Sequence, residues 1–191
     1  MIYTSHMKLT IGLGNPEPRY DGTRHNVGFW ALDNYADHYG LVFQPKTKFK
    51  ASVAELSRAG DKVILAKPTT YYNLSGEAVR AIADFYKLSP RDILIVHDEI
   101  ALSCGTIRTR HGGSDAGNNG IKSITLHIGE DTARLRIGTH TELREQIDDA
   151  EFVLSRFTKH ESALLDKQLS TIVAIIDSFI QGRFDETTRK Q

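Results

Sequence analysis

Apolar positions along the chain follow two rhythms. Short continuous runs, Leu9-Thr10-Ile11-Gly12-Leu13, Lys62-Val63-Ile64-Leu65-Ala66 and Ile93-Leu94-Ile95-Val96, have the length and bulk of buried strands. Elsewhere the apolar residues recur at helical spacing. Residues 24–39 carry Val27, Trp30, Ala31, Tyr35 and Tyr39, with Gly40 as the stop. Asn73 is placed to cap a helix from Leu74 to Tyr86, with Ala78, Val79, Ile82 and Phe85 facing inward and Ser89-Pro90 ending it. Ile121, Ile124 and Ile128 predict a third helix. One long helix is predicted from Lys159 to Ile180, its buried stripe made of Leu164, Leu165, Leu169, Ile172, Ile176 and Phe179.

The intervening segments complete a single α/β unit. Residues 50–56 and 62–67 read as a hairpin turning at Arg58-Ala59-Gly60-Asp61. Residues 105–110 alternate as an edge-like strand with one polar face, and Arg134-Leu135-Arg136-Ile137-Gly138 is another strand. The glycine-rich run from His111 to Gly120 precedes the third helix, and residues 139–150 read as a polar, mobile loop. Residues 1–6 are expected to be an N-terminal extension or a cloning remnant, leaving residues 7–191 as one domain. No repeat or linker divides it.

Asn and Asp residues cluster just past the ends of the apolar strands. Gly14-Asn15-Pro16 follows the first, Pro68-Thr69-Thr70-Tyr71-Tyr72-Asn73 the second, and His97-Asp98-Glu99 the third. Open α/β sheets bind ligands in the crevice outside the carboxyl ends of their strands. Three strands that each deliver such a residue there could build one polar site. Thr23-Arg24-His25-Asn26 adds a histidine at the start of the following helix.

Composition narrows the chemistry. The 191 residues carry 24 Lys and Arg against 24 Asp and Glu, which excludes a uniformly basic coat but not a local nucleic-acid patch. No apolar run approaches the roughly 20 residues that span a bilayer, and the N-terminus lacks the apolar segment of a signal peptide. The expected location is the cytoplasm. Cys104 is the only cysteine, so no intrachain disulfide and no cysteine metal cluster is expected. The eight histidines lack His-x-x-x-His spacing, so neither a metal nor a cofactor is expected. Gly12-Leu13-Gly14 begins like a dinucleotide fingerprint, but Pro16 and Pro18 follow instead of a third glycine opening a helix. Phosphate-loop and Gly-x-Ser-x-Gly patterns are absent.

A water-activating site remains. A neutral imidazole can take a proton from water while a carboxylate fixes its tautomer and stabilises the imidazolium. Asn side chains can hold the water or donate to a developing oxyanion. His25, Asp98, Asn15, Asn73 and Asn119 could fill these roles. The plainer alternative is a solvated loop His25, a turn-forming Asp98 and an Asn73 that only caps its helix.

Five ordered motifs favour the site: Gly12-Leu13-Gly14-Asn15-Pro16, Thr23-Arg24-His25-Asn26-Val27-Gly28, Lys67-Pro68-Thr69-Thr70-Tyr71-Tyr72-Asn73-Leu74-Ser75-Gly76, His97-Asp98-Glu99 and Asn119-Gly120-Ile121-Lys122-Ser123-Ile124. Together they closely resemble the bacterial-type peptidyl-tRNA hydrolases. The resemblance runs from about Met7 to the C-terminus and thins beyond residue 139. It implies a single domain with a twisted, mixed and mostly parallel sheet flanked by helices on both faces, monomeric and metal-free. It implies an enzyme that cleaves the ester between a peptide and the 3′ end of tRNA, with peptidyl-tRNA as its partner and no obligate protein partner. His25 would be the base and Asp98 its orienter. Asn15 would distinguish an N-blocked peptidyl group, and Asn73 and Asn119 would position substrate, water or oxyanion. Tyr20 and Tyr71 would line the groove for the tRNA 3′ end.

Three departures from the family pattern stand out. Tyr71-Tyr72 replaces the usual Phe-Met before Asn73, and Asn118 replaces the usual histidine of the glycine loop. Gly138-Thr139-His140-Thr141 replaces a usual Gly-x-Gly-x-Pro. The loop changes motivate the alternative of an RNA-binding relative with reduced or lost hydrolysis. Arg108 and Arg110 are two apart on a strand and share a face, as do Arg134 and Arg136. By resemblance, Arg108, Arg110 and Arg136 would contact tRNA phosphates; without it they read as a solvated sheet edge.

Overall fold

The computed structural model describes residues 7–58 and 61–190. The expected extension at residues 1–6, and Ala59-Gly60 of the expected hairpin turn, lie outside the described residues. Chain order is β1 (Lys8–Gly12), α1 (Val27–His38), β2 (Gln44–Lys46), β3 (Ala51–Arg58), β4 (Asp61–Pro68) and α2 (Ser75–Tyr86). There follow β5 (Ile93–Ser103), β6 (Ile107–His111), α3 (Asn119–Ile128), β7 (Ala133–His140), α4 (Asp149–Leu154), α5 (Lys159–Asp166), α6 (Leu169–Ile180) and β8 (Thr188–Arg189).

The strands form one sheet in the order β2-β3-β4-β1-β5-β7-β6-β8. It is mixed, but parallel pairing is confined to its centre. The β4–β1, β1–β5 and β5–β7 pairs are parallel, and the outer pairs are antiparallel. The expectation of a mostly parallel sheet therefore holds only for the middle. Strands joined by short connections, such as β3 and β4, can pair only antiparallel, whereas parallel neighbours need a crossover.

The central strands carry apolar residues on both faces because helices cover both. Val63, Leu65, Leu94, Val96, Leu135 and Ile137 pack with α1, α5 and α6. Ile64, Ala66, Ile93 and Ile95 alternate with them and pack with α2 and α3. Among the described residues, no helix is long and apolar enough to cross a membrane.

Several expectations need correction. Phe85 is 55% exposed, because the α2 stripe from Ala78, Val79 and Ile82 continues to Ala83 and Tyr86. The long C-terminal helix is two helices. At Gln168 the backbone tightens to an i−3 bond with Leu165, and α6 then starts afresh. Residues 139–150 are not a loop: β7 runs to His140, Glu142–Glu145 form a 3₁₀ turn, and α4 begins at Asp149. Arg144 ties this segment down, donating to the Ile100 carbonyl and to Asp149. Strand β6 is no free edge, since β8 pairs with it.

Candidate active site

The site forms where β5 outruns β1. Their last pair is Gly12 with Val96, after which the chain turns away and Leu13 N–H donates to Val96 O at 2.9 Å. His97, Asp98 and Glu99 do not follow the strand, as the sequence suggested. They continue it, because β7 supplies ladder partners in Arg136, Ile137 and Gly138. Asp98 is thus held on a rigid element at the carboxyl edge of the sheet.

His25 reaches Asp98 because α1 sits directly on that edge. A Cβ at Gly28 would lie 2.4 Å from Val96 O and 2.5 Å from Leu13 N, so only glycine allows this approach. The 3₁₀ turn Arg24–Asn26 preceding α1 then delivers His25. His25 Nδ1 donates to Asp98 Oδ2 at 3.0 Å, and Tyr72 O–H donates to Asp98 Oδ1 at 2.5 Å. Burial pushes the Asp98 carboxyl up, but the His25 charge and the hydrogen bonds from His25 and Tyr72 outweigh it and hold the group below the ordinary range. An ionised Asp98 accepts only, so Nδ1 of His25 carries the proton and Nε2 is left as the basic nitrogen.

Asn15 is clamped. Its backbone N–H donates to Asn26 Oδ1, and its carbonyl accepts from Asn26 Nδ2, each at 2.9 Å. Asn15 Oδ1 accepts from Tyr72 N–H at 2.8 Å, which leaves its amide nitrogen as the donor it can offer a ligand. Asn73 does not cap α2. It lies in the 3₁₀ turn Tyr72–Leu74, and Leu74 occupies the cap position. The cap duty being absent, Asn73 stands exposed on the site.

A cavity of about 550 Å³ gathers Asn15, Tyr20, His25, Tyr71, Asn73, Asp98 and Asn119. All seven were named from sequence. Tyr71 is half exposed, and its hydroxyl donates to Glu17. Residues Asp149, Ala150, Val153 and Leu154 of α4 line the same cavity.

The arginines lie outside this cavity. Register places Arg108 opposite Arg136 and Arg110 opposite Arg134, so all four share one face of the sheet. Arg134 is buried and donates to the Ser114 carbonyl of the glycine-rich loop. Arg136 Nη1 lies 3.5 Å from Glu99 Oε2. Arg108 and Arg110 bond the C-terminal segment at Thr188 and Thr187. Glu99 lies against Arg136, and Asp115 and Glu130 act on the buried Arg134, which leaves Arg108 and Arg110 as the cations of this face with no carboxylate contact among the described residues.

Other candidates fall away on their surroundings. Burial pushes the Cys104 thiol up to about 11, which disqualifies it as a nucleophile at neutral pH. Burial pushes His97 down to about 4, and its Nδ1 is tied to the Asp98 carbonyl at 2.7 Å. Among the described residues, no three His, Cys, Asp or Glu side chains gather as metal ligands would. Sequence reasoning missed Asn26, Tyr72 and Asn118 as site residues. Asn26 stands beside His25 in the same motif, and a polar residue next to a named one was the available signal. The contributions of Tyr72 and Asn118 depend on three-dimensional contacts alone.

Fold and site together define a single-domain α/β protein with an imidazole–carboxylate pair set in a polar cavity at the carboxyl edge of its sheet. The sequence model of the peptidyl-tRNA hydrolase family matches residues 9–191. The peptidyl-tRNA hydrolase of Ligilactobacillus salivarius is 45% identical over 177 residues, 92% of this chain and 94% of that protein. That of Rickettsia bellii is 40% identical over 184 residues, 96% and 99% of the two chains. The crystal structure of peptidyl-tRNA hydrolase from Acinetobacter baumannii superposes with a TM-score of 0.86 at 36% identity, covering 96% of this chain and 93% of that one. The chain belongs to the peptidyl-tRNA hydrolase family.

Proposed function

We propose that the protein hydrolyses the ester joining a peptide, or an N-blocked amino acid, to the 3′ end of tRNA, with His25 as general base and Asp98 as its orienter. The observation that carries this reading is the 3.0 Å bond from His25 Nδ1 to a buried, ionised Asp98 beside an open polar cavity. His25 Nε2 takes a proton from water as the water oxygen attacks the ester carbonyl carbon. Asp98 stabilises the imidazolium that forms. The tetrahedral intermediate collapses with cleavage of the bond to the ribose 3′ oxygen, which takes the proton back from His25. Asn15, Asn73 and Asn119 supply amide donors for the peptidyl group, the water or the oxyanion.

Tyr20 and Tyr71 offer aromatic faces at the mouth for the terminal bases. Arg108, Arg110 and Arg136 hold tRNA phosphates; contacts of this kind bind without reading sequence. The protein works as a monomer in the cytoplasm, with no metal, cofactor or obligate protein partner. The RNA-binding alternative is disfavoured because the base, its orienter and the three asparagines remain together in one cavity.

The test is release of free tRNA from an N-blocked aminoacyl-tRNA by the purified protein, with chelator present and with the unblocked aminoacyl-tRNA as control. Hydrolysis of the blocked substrate in chelator is expected. Tight tRNA binding without ester cleavage would favour the RNA-binding alternative.

A further inference from the structure

Tyr72 is built into the site on every side. The ring of Tyr72 stacks on His25, with centroids 3.4 Å apart and planes 10° from parallel. Its hydroxyl donates to Asp98 Oδ1 at 2.5 Å and accepts from Asn118 Nδ2 at 2.9 Å. Asn118 also caps α3, its Oδ1 accepting from Ile121 N–H at 3.0 Å. The backbone of the same helix start presses on the ring: a Cβ at Gly120 would lie 2.4 Å from Tyr72 Cε1. Tyr72 N–H meanwhile donates to Asn15 Oδ1. One residue thus touches the base, its orienter, the Asn15 side chain and the glycine-rich loop.

We propose that Tyr72 is a positioning residue that couples the His25–Asp98 pair to the glycine-rich loop through a hydroxyl shared between Asp98 and Asn118. The inference rests on the reading of His25 as general base. Three physical effects follow. The hydroxyl holds the second carboxylate oxygen, so Asp98 has one orientation in which to meet His25. The ring face stabilises the imidazolium as it forms. Asn118 fixes the hydroxyl rotor toward Asp98, because its amide donor occupies the lone-pair side. Burial and the Asp98 charge raise Tyr72 well above its ordinary value, so the phenol stays a donor throughout the working range. The titratable groups facing the carboxylate are His25, Tyr72 and His97; Glu99 acts on the Tyr72 hydroxyl, and Asp115 and Asp149 stand on the cavity wall.

Tyr72→Phe keeps the stacked ring and removes only the hydroxyl. Single-turnover hydrolysis at saturation is expected to fall about tenfold, the scale of one charge-assisted hydrogen bond. Affinity for deacylated tRNA should stay within about twofold, since no phosphate contact is lost. Asp98, with one donor fewer, acts more strongly on the imidazolium, so the acid limb of the rate profile should move to higher pH. Asn118→Ser keeps a helix cap while removing the amide donor. Its effect, expected to be about threefold, should vanish in the Tyr72→Phe background.

The proposal is overturned if Tyr72→Phe retains the wild-type rate and acid limb. It is equally overturned if Asn118→Ser has the same effect in both backgrounds. His25→Ala run beside them separates the two levels. A dead His25→Ala with an unchanged Tyr72→Phe refutes the role of Tyr72 and leaves the base standing. A fully active His25→Ala refutes both.

Discussion

Arg24 and His25 are neighbours in the chain, and each pairs with a carboxylate far away in sequence, yet the two pairs have opposite characters. Arg24 Nη2 donates to Glu161 Oε1 at 2.8 Å, with side chains 1% and 9% exposed. The ring centroids of Phe152 and Phe157 lie 4.6 and 4.9 Å from its guanidinium carbon. Glu161 in turn closes the capping box of α5 with Thr158. The backbone beside Arg24 is pinned as well, its N–H donating to Ser155 O. His25 instead holds its carboxylate on one edge only, and its side chain keeps 15% of its surface at the cavity. The enclosed pair fixes the turn so that the open pair can do chemistry. An ion pair becomes functional when one partner keeps an unsatisfied atom within reach of solvent and substrate.

Breaking the open pair should give the largest effect on rate and little on stability. His25→Ala is expected to cut turnover by ~10²–10⁴ while leaving tRNA affinity and the unfolding midpoint near wild type. Equilibrium binding and denaturant unfolding check the second half. Asp98→Asn should lower turnover about tenfold to a hundredfold, more through kcat than through KM. A change confined to KM would make Asp98 a binding residue.

Breaking the enclosed pair should do the reverse. Arg24→Ala leaves Glu161 buried without its cation and is expected to cost about 3–5 kcal/mol of unfolding free energy, read by denaturant titration. The pH dependence sharpens the contrast. Burial pushes the Glu161 carboxyl up, but the hydrogen bonds from Arg24 and Thr158 and the Arg24 charge pull it below its usual 4.5. A depressed acid contributes stability above its unfolded pKa and loses it as pH falls through the folded one. Glu161→Gln should therefore flatten the decline in stability below about pH 4.5, without moving the pH profile of the rate. The arginine face should show the smallest effects. Arg110→Ala and Arg136→Ala should each reduce the salt dependence of tRNA binding by roughly 0.7–0.9 of a slope unit, with the saturated rate unchanged. Unchanged slopes in both variants would return them to a sheet-edge role.

Much of this was legible in the chain. The apolar runs of β1, β4 and β5 announce strands buried on both faces, and the asparagines beyond β1 and β4 mark the edge where the cavity lies. Less legible were features set by partners distant in sequence. Strand β5 extends through Asp98 only because β7 lies beside it. The segment after His140 folds because Arg144 finds the Ile100 carbonyl. Asn73 has a capping residue's sequence context, yet the 3₁₀ turn moves the cap to Leu74. Tyr72 read as a departure in a motif, and its position between His25, Asp98 and Asn118 emerges only from the folded chain.

The most direct test of the account is the single-turnover rate of N-blocked aminoacyl-tRNA hydrolysis as a function of pH, for wild type and His25→Ala side by side at saturating protein. Only the neutral imidazole accepts a proton. The wild-type rate is expected to fall as the imidazole protonates, and the His25→Ala rate to be slow and to lack that limb. A His25→Ala protein with a near-normal rate, or one that retains the same acid limb, would contradict it.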